Sequence, residues 1–307
     1  NPLSRTLSFT TTTYNKVYGS TQTVTATPSA GSGTLTYSAG LSDACSVDVS
    51  TGVVTMTAAS GTCVISASID ASGDYSSAST STSVTINPGK ATPTIGVFSD
   101  LNTTTATALL LVGQTSTILG GTWSYTSGNQ SVITVGGITA TPVAVGTATI
   151  TATYTPGLLD QASYNSASTT FTITVTAATL TRPSAPTASA ASTGVVMNVN
   201  WSSIAHASGY VVSMYPNGSS TPIATAQLGS NATSASFSQV DYPSINYSTT
   251  YRFTVKAIGD GTNFLDSQES TYGSATSISV TADATYTALA NVTTTYPGSA
   301  IFNAAAV

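Results

Sequence analysis

Two cysteines, one histidine and eleven carboxylates are the residues of this chain best suited to drive a reaction or bind a metal. Cys45 and Cys63 stand 18 positions apart. A thiol pair can serve redox chemistry, but a zinc site needs further sulfur or nitrogen ligands, and there is no third cysteine. The other reading, a structural disulfide made in an oxidising compartment, would add about 3 kcal/mol to a small domain in the chain-entropy model. We expect the disulfide. His206, the sole histidine, lies in "SIAHASG", which reads as a turn. A hydrolytic site needs a base, a nucleophile and an orienting partner in register, and one isolated histidine does not supply them. There is no Gly-rich phosphate loop, nucleophile elbow or His-rich metal motif. We expect no enzyme and no cofactor.

The carboxylates group most closely at Asp70 with Asp74, in "DASGD", and at Asp260 with Asp266 and Glu269. Calcium draws several carboxylate and carbonyl oxygens together, but Asp and Gly are equally ordinary turn residues. No metal site is assigned. A Lys–Asn isopeptide cross-link would need a buried lysine, and Lys16 and Lys90 sit near domain edges. Most of the 15 tyrosines fall at core positions. Tyr215, Tyr242 and Tyr247 lie on or near loops and form the one candidate aromatic surface for a sugar. Seven Asn-x-Ser/Thr sequons occur, close to what composition alone supplies.

The elements that would hold such residues are strands. The 307 residues allow two or three domains. Charged residues make up only 6%, while 47 Ser and 60 Thr supply about a third of the chain, so hydroxyls rather than charges cover the surface. Thr fits a pleated, half-wet strand, and Ser, Gly and Pro punctuate turns. With three Met, three Lys and one Glu, helix formers are scarce. The six basic residues are scattered and the net charge is −5, which argues against nucleic acid as a partner. No apolar run approaches the roughly 18 residues of a membrane span. The chain opens on Asn1 without a signal-peptide pattern, as a processed mature chain or an excised fragment would.

An internal repeat organises the first half. "GTLTYSAG" at 33–40 recurs as "GTWSYTSG" at 121–128. "STGVVTMTAASGTCVISA" at 50–67 recurs as "VGGITATPVAVGTATITA" at 135–152, with Ala148 in place of Cys63. "YSSASTSTSVTI" at 75–86 recurs as "YNSASTTFTITV" at 164–175. A period of nearly ninety residues is a whole domain. Within it, Cys63, Ile65, Ala67 and Ile69 alternate with more polar positions, as do Ala148, Ile150, Ala152 and Tyr154. That period-2 pattern marks strands with one buried face, and about seven of them fit a two-sheet antiparallel sandwich of immunoglobulin type.

The motifs Tyr18-Gly19, "TYSAG", "ACSV", "STGVVT", "GTCVISA" and Y-x-SAS resemble the bacterial Ig-like repeats of long, adhesin-type surface proteins. The resemblance covers residues 1–88 well and 89–177 more loosely. The third segment, 178–282, resembles a fibronectin type III domain. It carries Pro183 and Pro186, Trp201 on the second strand, Gly209-Tyr210 opening the third, and "TYRFTVKAIG". The family's Leu-x-Pro-x-Thr-x-Tyr motif maps to Ile245, Thr249 and Tyr251, its Pro having no counterpart beside Ser248. The resemblance implies a core around Trp201, Tyr210, Ile245 and Tyr251, with the Tyr251 hydroxyl bonded back to nearby backbone.

Residues 283–307 are too few to fold alone. Tyr286, Ala288, Ala290, Val292 and Tyr296 share one face of an amphipathic strand, followed by Ile301 and Phe302, and "TTTY" at 293–296 repeats 11–14. The expectation is an all-β chain: three tandem immunoglobulin-like sandwiches (1–88, 89–177, 178–282) and an orphan C-terminal strand. That strand pairs with the next copy or opens a further sandwich. The functional expectation is a secreted or cell-surface fibre protein that polymerises head to tail with itself through the terminal strand. The alternatives are a spacer of a large adhesin and a carbohydrate-binding accessory region of a secreted polysaccharide hydrolase. Surface polysaccharide or cell wall is a further expected partner.

Overall fold

The computed structural model describes residues 1–191, 195–246 and 249–277. It is all-β among these residues and divides into two compact units, Asn1–Ala178 and Thr179–Val307. The first unit contains two separate hydrophobic cores.

In the first core's sandwich, Thr13–Val17, Val84–Gly89, Val64–Ile69 and Leu35–Ser38 lie side by side, with Ala78–Ser79 also on Val64–Ile69. The opposing layer has Thr21–Thr23, Val53–Met56 and Cys45–Val47, flanked by the pair Leu7–Phe9 and Ala26–Pro28. The alternating residues Cys63, Ile65, Ala67 and Ile69 are all buried, as period-2 patterning requires. Each buried Ile or Val contributes about 1.5–3 kcal/mol by leaving water.

The second sandwich repeats this plan. Leu101–Thr104, Ala167–Thr176, Gly146–Thr155 and Thr122–Ser127 form one sheet, and Leu109–Leu110, Thr139–Pro142 and Ile133–Gly136 the other. In both sandwiches the first strand of the larger sheet pairs in parallel with the last: Tyr14 opposite Ile86, and Thr103 opposite Val175.

Matching the ladders shows how the two copies fill equivalent cores differently. Cys45 pairs with Met56 where Ile133 pairs with Pro142, so Ile133 and Ala148 stand where the two cysteines do. Both are buried, a larger side chain facing a smaller one. Ala26 and Leu35 give way to Gly113 and Trp123. A Cβ on Gly113 would lie 2.2 Å from the Trp123 ring, so only glycine admits that indole. One end of the sandwich is also closed in two ways. In the first copy the buried Arg5 guanidinium donates to the carbonyls of Ala30, Ser32, Asp70 and Ser76. In the second, the Tyr154 hydroxyl donates to Ile118 O at 2.7 Å and accepts from Gly121 N–H at 3.0 Å.

Between the sandwiches almost no free chain remains. Gly89 still belongs to the strand Val84–Gly89, and its carbonyl accepts from Tyr18 N–H at 2.8 Å. Ala91 N–H already donates to Ser163 O, and Ala91 O accepts from Asn165 N–H. Only Lys90 lies between, and the Tyr18 and Tyr164 rings meet edge to face at 5.3 Å. Backbone hydrogen bonds on both sides of Lys90 limit swivel there.

In the second unit, Thr187–Ala190, Val196–Asn200 and Ser234–Ser238 face Ala224–Gly229, Gly209–Pro216, Thr250–Ile258 and Thr276–Ser277. This three-on-four division is the immunoglobulin-like sandwich plan. Beside Thr250–Ile258 the chain runs irregularly, three residues against every two. The N–H groups of Ser267, Ser270 and Gly273 donate to the carbonyls of Ala257, Val255 and Phe253. The Ser267 and Ser270 hydroxyls accept from Ala257 and Val255 N–H at 2.9 and 3.0 Å, replacing main-chain carbonyls. Such an edge offers no regular row for another strand.

Reducing the disulfide is expected to cost the first sandwich about 2–5 kcal/mol, and the second nothing. Amide exchange at Ile65 should accelerate while that at Ile150 is unchanged. The pair Cys45→Ile and Cys63→Ala, copying Ile133 and Ala148, should restore part of the protection; equal acceleration at both sites would contradict this account.

Candidate functional site

The two cysteines form a disulfide with Cα atoms 5.5 Å apart. Cys45 starts the strand Cys45–Val47, and Cys63 directly precedes Val64–Ile69 in the opposing sheet. The bridge therefore ties the two layers together within the core, rather than joining neighbours on one ladder. Both sulfurs are buried, so the pair is a structural tie.

Four of the carboxylates have lowered pKa values, each from ties in its own neighbourhood. Asp48 accepts from the Ser50 hydroxyl at 2.8 Å and from the N–H groups of Thr51 and Ser50 at 2.8 and 3.0 Å, which holds its carboxyl down to about 2. This closes the turn that ends at Gly52, whose φ is +71° and where a Cβ would meet Val24 O at 2.4 Å. Asp43 is lowered chiefly by Thr62 N–H, 2.6 Å away, and then by the Thr62 hydroxyl. Asp260 is lowered first by Phe264 N–H, with Thr262 and Asn263 adding theirs. Asp266 is lowered by the Lys256 ammonium at 2.8 Å and by Gly259 N–H. Asp48 and Asp260 close local turns, the Asx-turn role of aspartate, while Asp43 and Asp266 tie together segments farther apart in the chain. Among the described residues no three His, Cys, Asp or Glu side chains group as metal ligands.

His206 is exposed, at φ 65°, with its ring stacked on Phe264 at 4.3 Å. The structure corrects the expected aromatic platform. Tyr215 is only 5% exposed: it pairs with Arg252 across the sheet and lies under Tyr272, whose ring it meets at 5.2 Å. The Arg252 guanidinium stacks on that same ring at 3.6 Å, so the surface is roofed from within the chain. Tyr242 packs on Phe237 and donates its hydroxyl to Thr225 O at 3.2 Å. Tyr247 lies outside the described residues, as do Tyr286, Ala288, Ala290, Val292, Tyr296, Ile301 and Phe302.

Trp201, Tyr210, Ile245 and Tyr251 share one core. Tyr210 accepts from Ile204 N–H at 2.7 Å, and Tyr251 accepts from Asn246 N–H at 2.8 Å, the bond back to nearby backbone that the motif implies. The second sandwich carries a shallow groove of about 300 Å³, bordered by Val97, Phe98, Leu110, Val112 and Phe171. Its border holds Ser99 and Gln114 but no charged group. Sequence reasoning missed the Arg252–Tyr272 roof because the two residues come from separate segments, and nothing local announces their stacking.

No protein-family model and no curated protein sequence matches the chain. Among solved structures, a run of titin domains superposes with a TM-score of 0.28 at 13% identity, over 89% of this chain and 99% of that one. The FN1–FN3 domains of chicken CNTN1 give 0.27 at 10% identity, over 86% and 96%. A two-domain fibronectin type III segment of chicken tenascin gives 0.27 at 15% identity, over 49% and 80%. At such TM-scores the likeness decides nothing about function, and the fold description stands on the chain's own strand pairing. No helix of the described residues is long and apolar enough to cross a membrane.

The Asp48 ties give a pH expectation. Its folded pKa lies below the ordinary 3.8, so their stabilisation is present above about pH 4 and lost as pH falls toward 2. A carboxyl-carbon NMR titration of Asp48 should have its midpoint near 2; a midpoint near 3.8 would show that the turn does not hold it.

Proposed function

We propose that this chain is a non-enzymatic structural segment of an extracellular or cell-surface fibre, a stiff row of β-sandwiches assembled head to tail with further copies of itself. The observation that carries this reading is the joint at Lys90, where a paired strand ending at Gly89 and a bridge at Ala91 leave one residue of linker. A chain that spends hydrogen bonds and a Tyr18–Tyr164 contact on fixing one sandwich to the next is suited to holding distance and direction. The buried disulfide suits an oxidising, extracellular setting. A surface of hydroxyls with few charges makes contacts between copies largely indifferent to salt.

In this reading residues 283–307 supply the inter-copy contact by β-strand addition, and a head-to-tail contact that does not close generates a filament. A second reading draws on the parallel pairing in the first unit. There the first strand of each larger sheet lies against the last, and "TTTY" at 11–14 runs into such a strand, Thr13–Val17. Residues 293–296 would then open a further sandwich of a longer surface protein, with this chain as its spacer.

Electron microscopy of the purified chain separates the two. The fibre reading expects filaments with a regular repeat, lost when residues 283–307 are deleted, while thermal unfolding of the remaining sandwiches stays unchanged. Assembly that survives the deletion, or a monodisperse monomer at high concentration, would count against it.

A further inference from the structure

We propose that the open edge of the second sandwich, the groove bordered by Val97, Phe98, Leu110, Val112 and Phe171, accepts residues 284–296 of another copy as an added strand. This deepens the fibre reading and rests on it, by naming the surface on which the contact between copies is made.

The groove lies where both sheets of that sandwich end. Leu109–Leu110 is the outer strand of the three-stranded sheet and Leu101–Thr104 the outer strand of the four-stranded one. Leu110 and Leu101 both line the groove, together with Phe98 and Phe171, whose rings stack at 5.0 Å. Leu111 N–H donates to Ile138 O at 2.8 Å, toward the neighbouring strand. By the alternation of a ladder, Leu110 and Val112 turn their N–H and C=O groups to the open side. An added strand finds its backbone partners there. Natural sheets deter such pairing with lysine, proline or a bulge on the edge, and "LLLVG" at 109–113 carries no charge and no proline.

The first sandwich shows that the fold does not require this edge to be apolar. Met56 and Pro142 are equivalent, so the pairing of Gln22 with Val54 matches that of Leu109 with Ala140. Val24 then stands where Leu111 does, and both are buried. Thr23 and Thr25, which are exposed, stand where Leu110 and Val112 do. Those two are 69% and 72% exposed. One copy thus shows hydroxyls to solvent at this edge, and the other shows branched apolar side chains beside a groove. In a chain whose surface is otherwise hydroxyl-rich, that contrast marks a place of association.

The segment 284–296 fits the edge in charge and in pattern. It contains no Asp, Glu, Lys, Arg or His, and no charged group borders the groove. Its sequence alternates, with Tyr286, Ala288, Ala290 and Val292 on one strand face and mostly Thr and Asn on the other. Laid along residues 109–112, such a strand gives its ladder bonds to the open side and its apolar face to the gap between the sheets, as in β-strand addition. It ends before Pro297, which has no N–H to give a ladder.

Photo-crosslinking of the full chain tests this. p-Benzoylphenylalanine replaces Gln114, an exposed residue on the groove border, and equal parts of nitrogen-14 and nitrogen-15 protein are assembled, irradiated and read by mass spectrometry. The expected crosslinks join the groove to peptides containing residues 284–296, in mixed-isotope pairs. As a second measurement, Leu110→Thr with Val112→Thr copies the first sandwich's edge. It should raise the concentration needed for assembly at least about tenfold, because two apolar side chains leave the contact, with the unfolding temperature unchanged. Val240→Thr, at a still more exposed apolar position in the second unit, should leave assembly unmoved. Crosslinks to another segment or from groove to groove, same-isotope pairs alone, or a threonine variant that assembles like its parent would overturn the acceptor site. Filaments seen in those same samples would keep the fibre reading standing. A chain that stays monomeric at high concentration would sink the fibre reading, and this site with it.

Discussion

In the first half of this molecule, each sandwich is fastened by the first strand of its larger sheet lying in parallel against the last. Thr13–Val17 is the edge strand of its sheet, and without that pairing it would hang free of the sheet and Gly89 would be a free exit. With it, Tyr18 N–H reaches Gly89 O, the exit is fixed within the sheet, and the chain must enter the next sandwich one residue later. The short joint is thus a consequence of the fastening. A charge-poor surface could not have achieved it otherwise, since exposed ion pairs contribute little and there are few ions to use. Among the described residues the single ion pair is Lys256 with Asp266.

The two copies also show what this architecture demands and what it leaves open. Positions that alternate inward along the central strands stay apolar in both: Ile65 and Ile150, Ala67 and Ala152, Ile86 and Ile173. Elsewhere the constraint is on summed volume and on satisfied carbonyls rather than on identity. Gly113 and Trp123 together replace Ala26 and Leu35, and a Tyr154 hydroxyl closes the end that the Arg5 guanidinium closes in the first copy. Such exchanges preserve packing density while changing chemistry, as a close-packed interior permits when total volume is kept. The cysteine pair is one more exchange of this kind, and Ile133 with Ala148 shows the fold closing without a covalent tie.

What was legible in the sequence follows the same line. Strand faces could be read because alternation has a fixed period: the cysteines, isoleucines and alanines named from pattern alone are buried. The motif residues Trp201, Tyr210, Ile245 and Tyr251 meet in one core because a motif records a shared packing problem. Tyr215 was misread as a surface residue because its cover, Tyr272 and Arg252, comes from elsewhere in the chain and stacks through long-range contacts. The serine-edged segment at Ser267 and Ser270 was invisible for a related reason. Side-chain hydroxyls there do the work of main-chain carbonyls, and a Ser-x-x-Ser spacing carries no period-2 signature. The joint at Lys90 carries no local signature, because Gly89 and Ala91 bond to distant segments at Tyr18, Ser163 and Asn165.

The central claim is that residues 1–178 behave as one stiff body through the joint at Lys90. Nitrogen-15 NMR relaxation of the intact chain measures this directly, because each sandwich reports its own tumbling. The account predicts a single rotational correlation time and a common diffusion axis for amides around Ile65 and around Ile150. Inserting a short glycine run after Lys90 should split them. Two different correlation times in the unmodified chain would contradict the account.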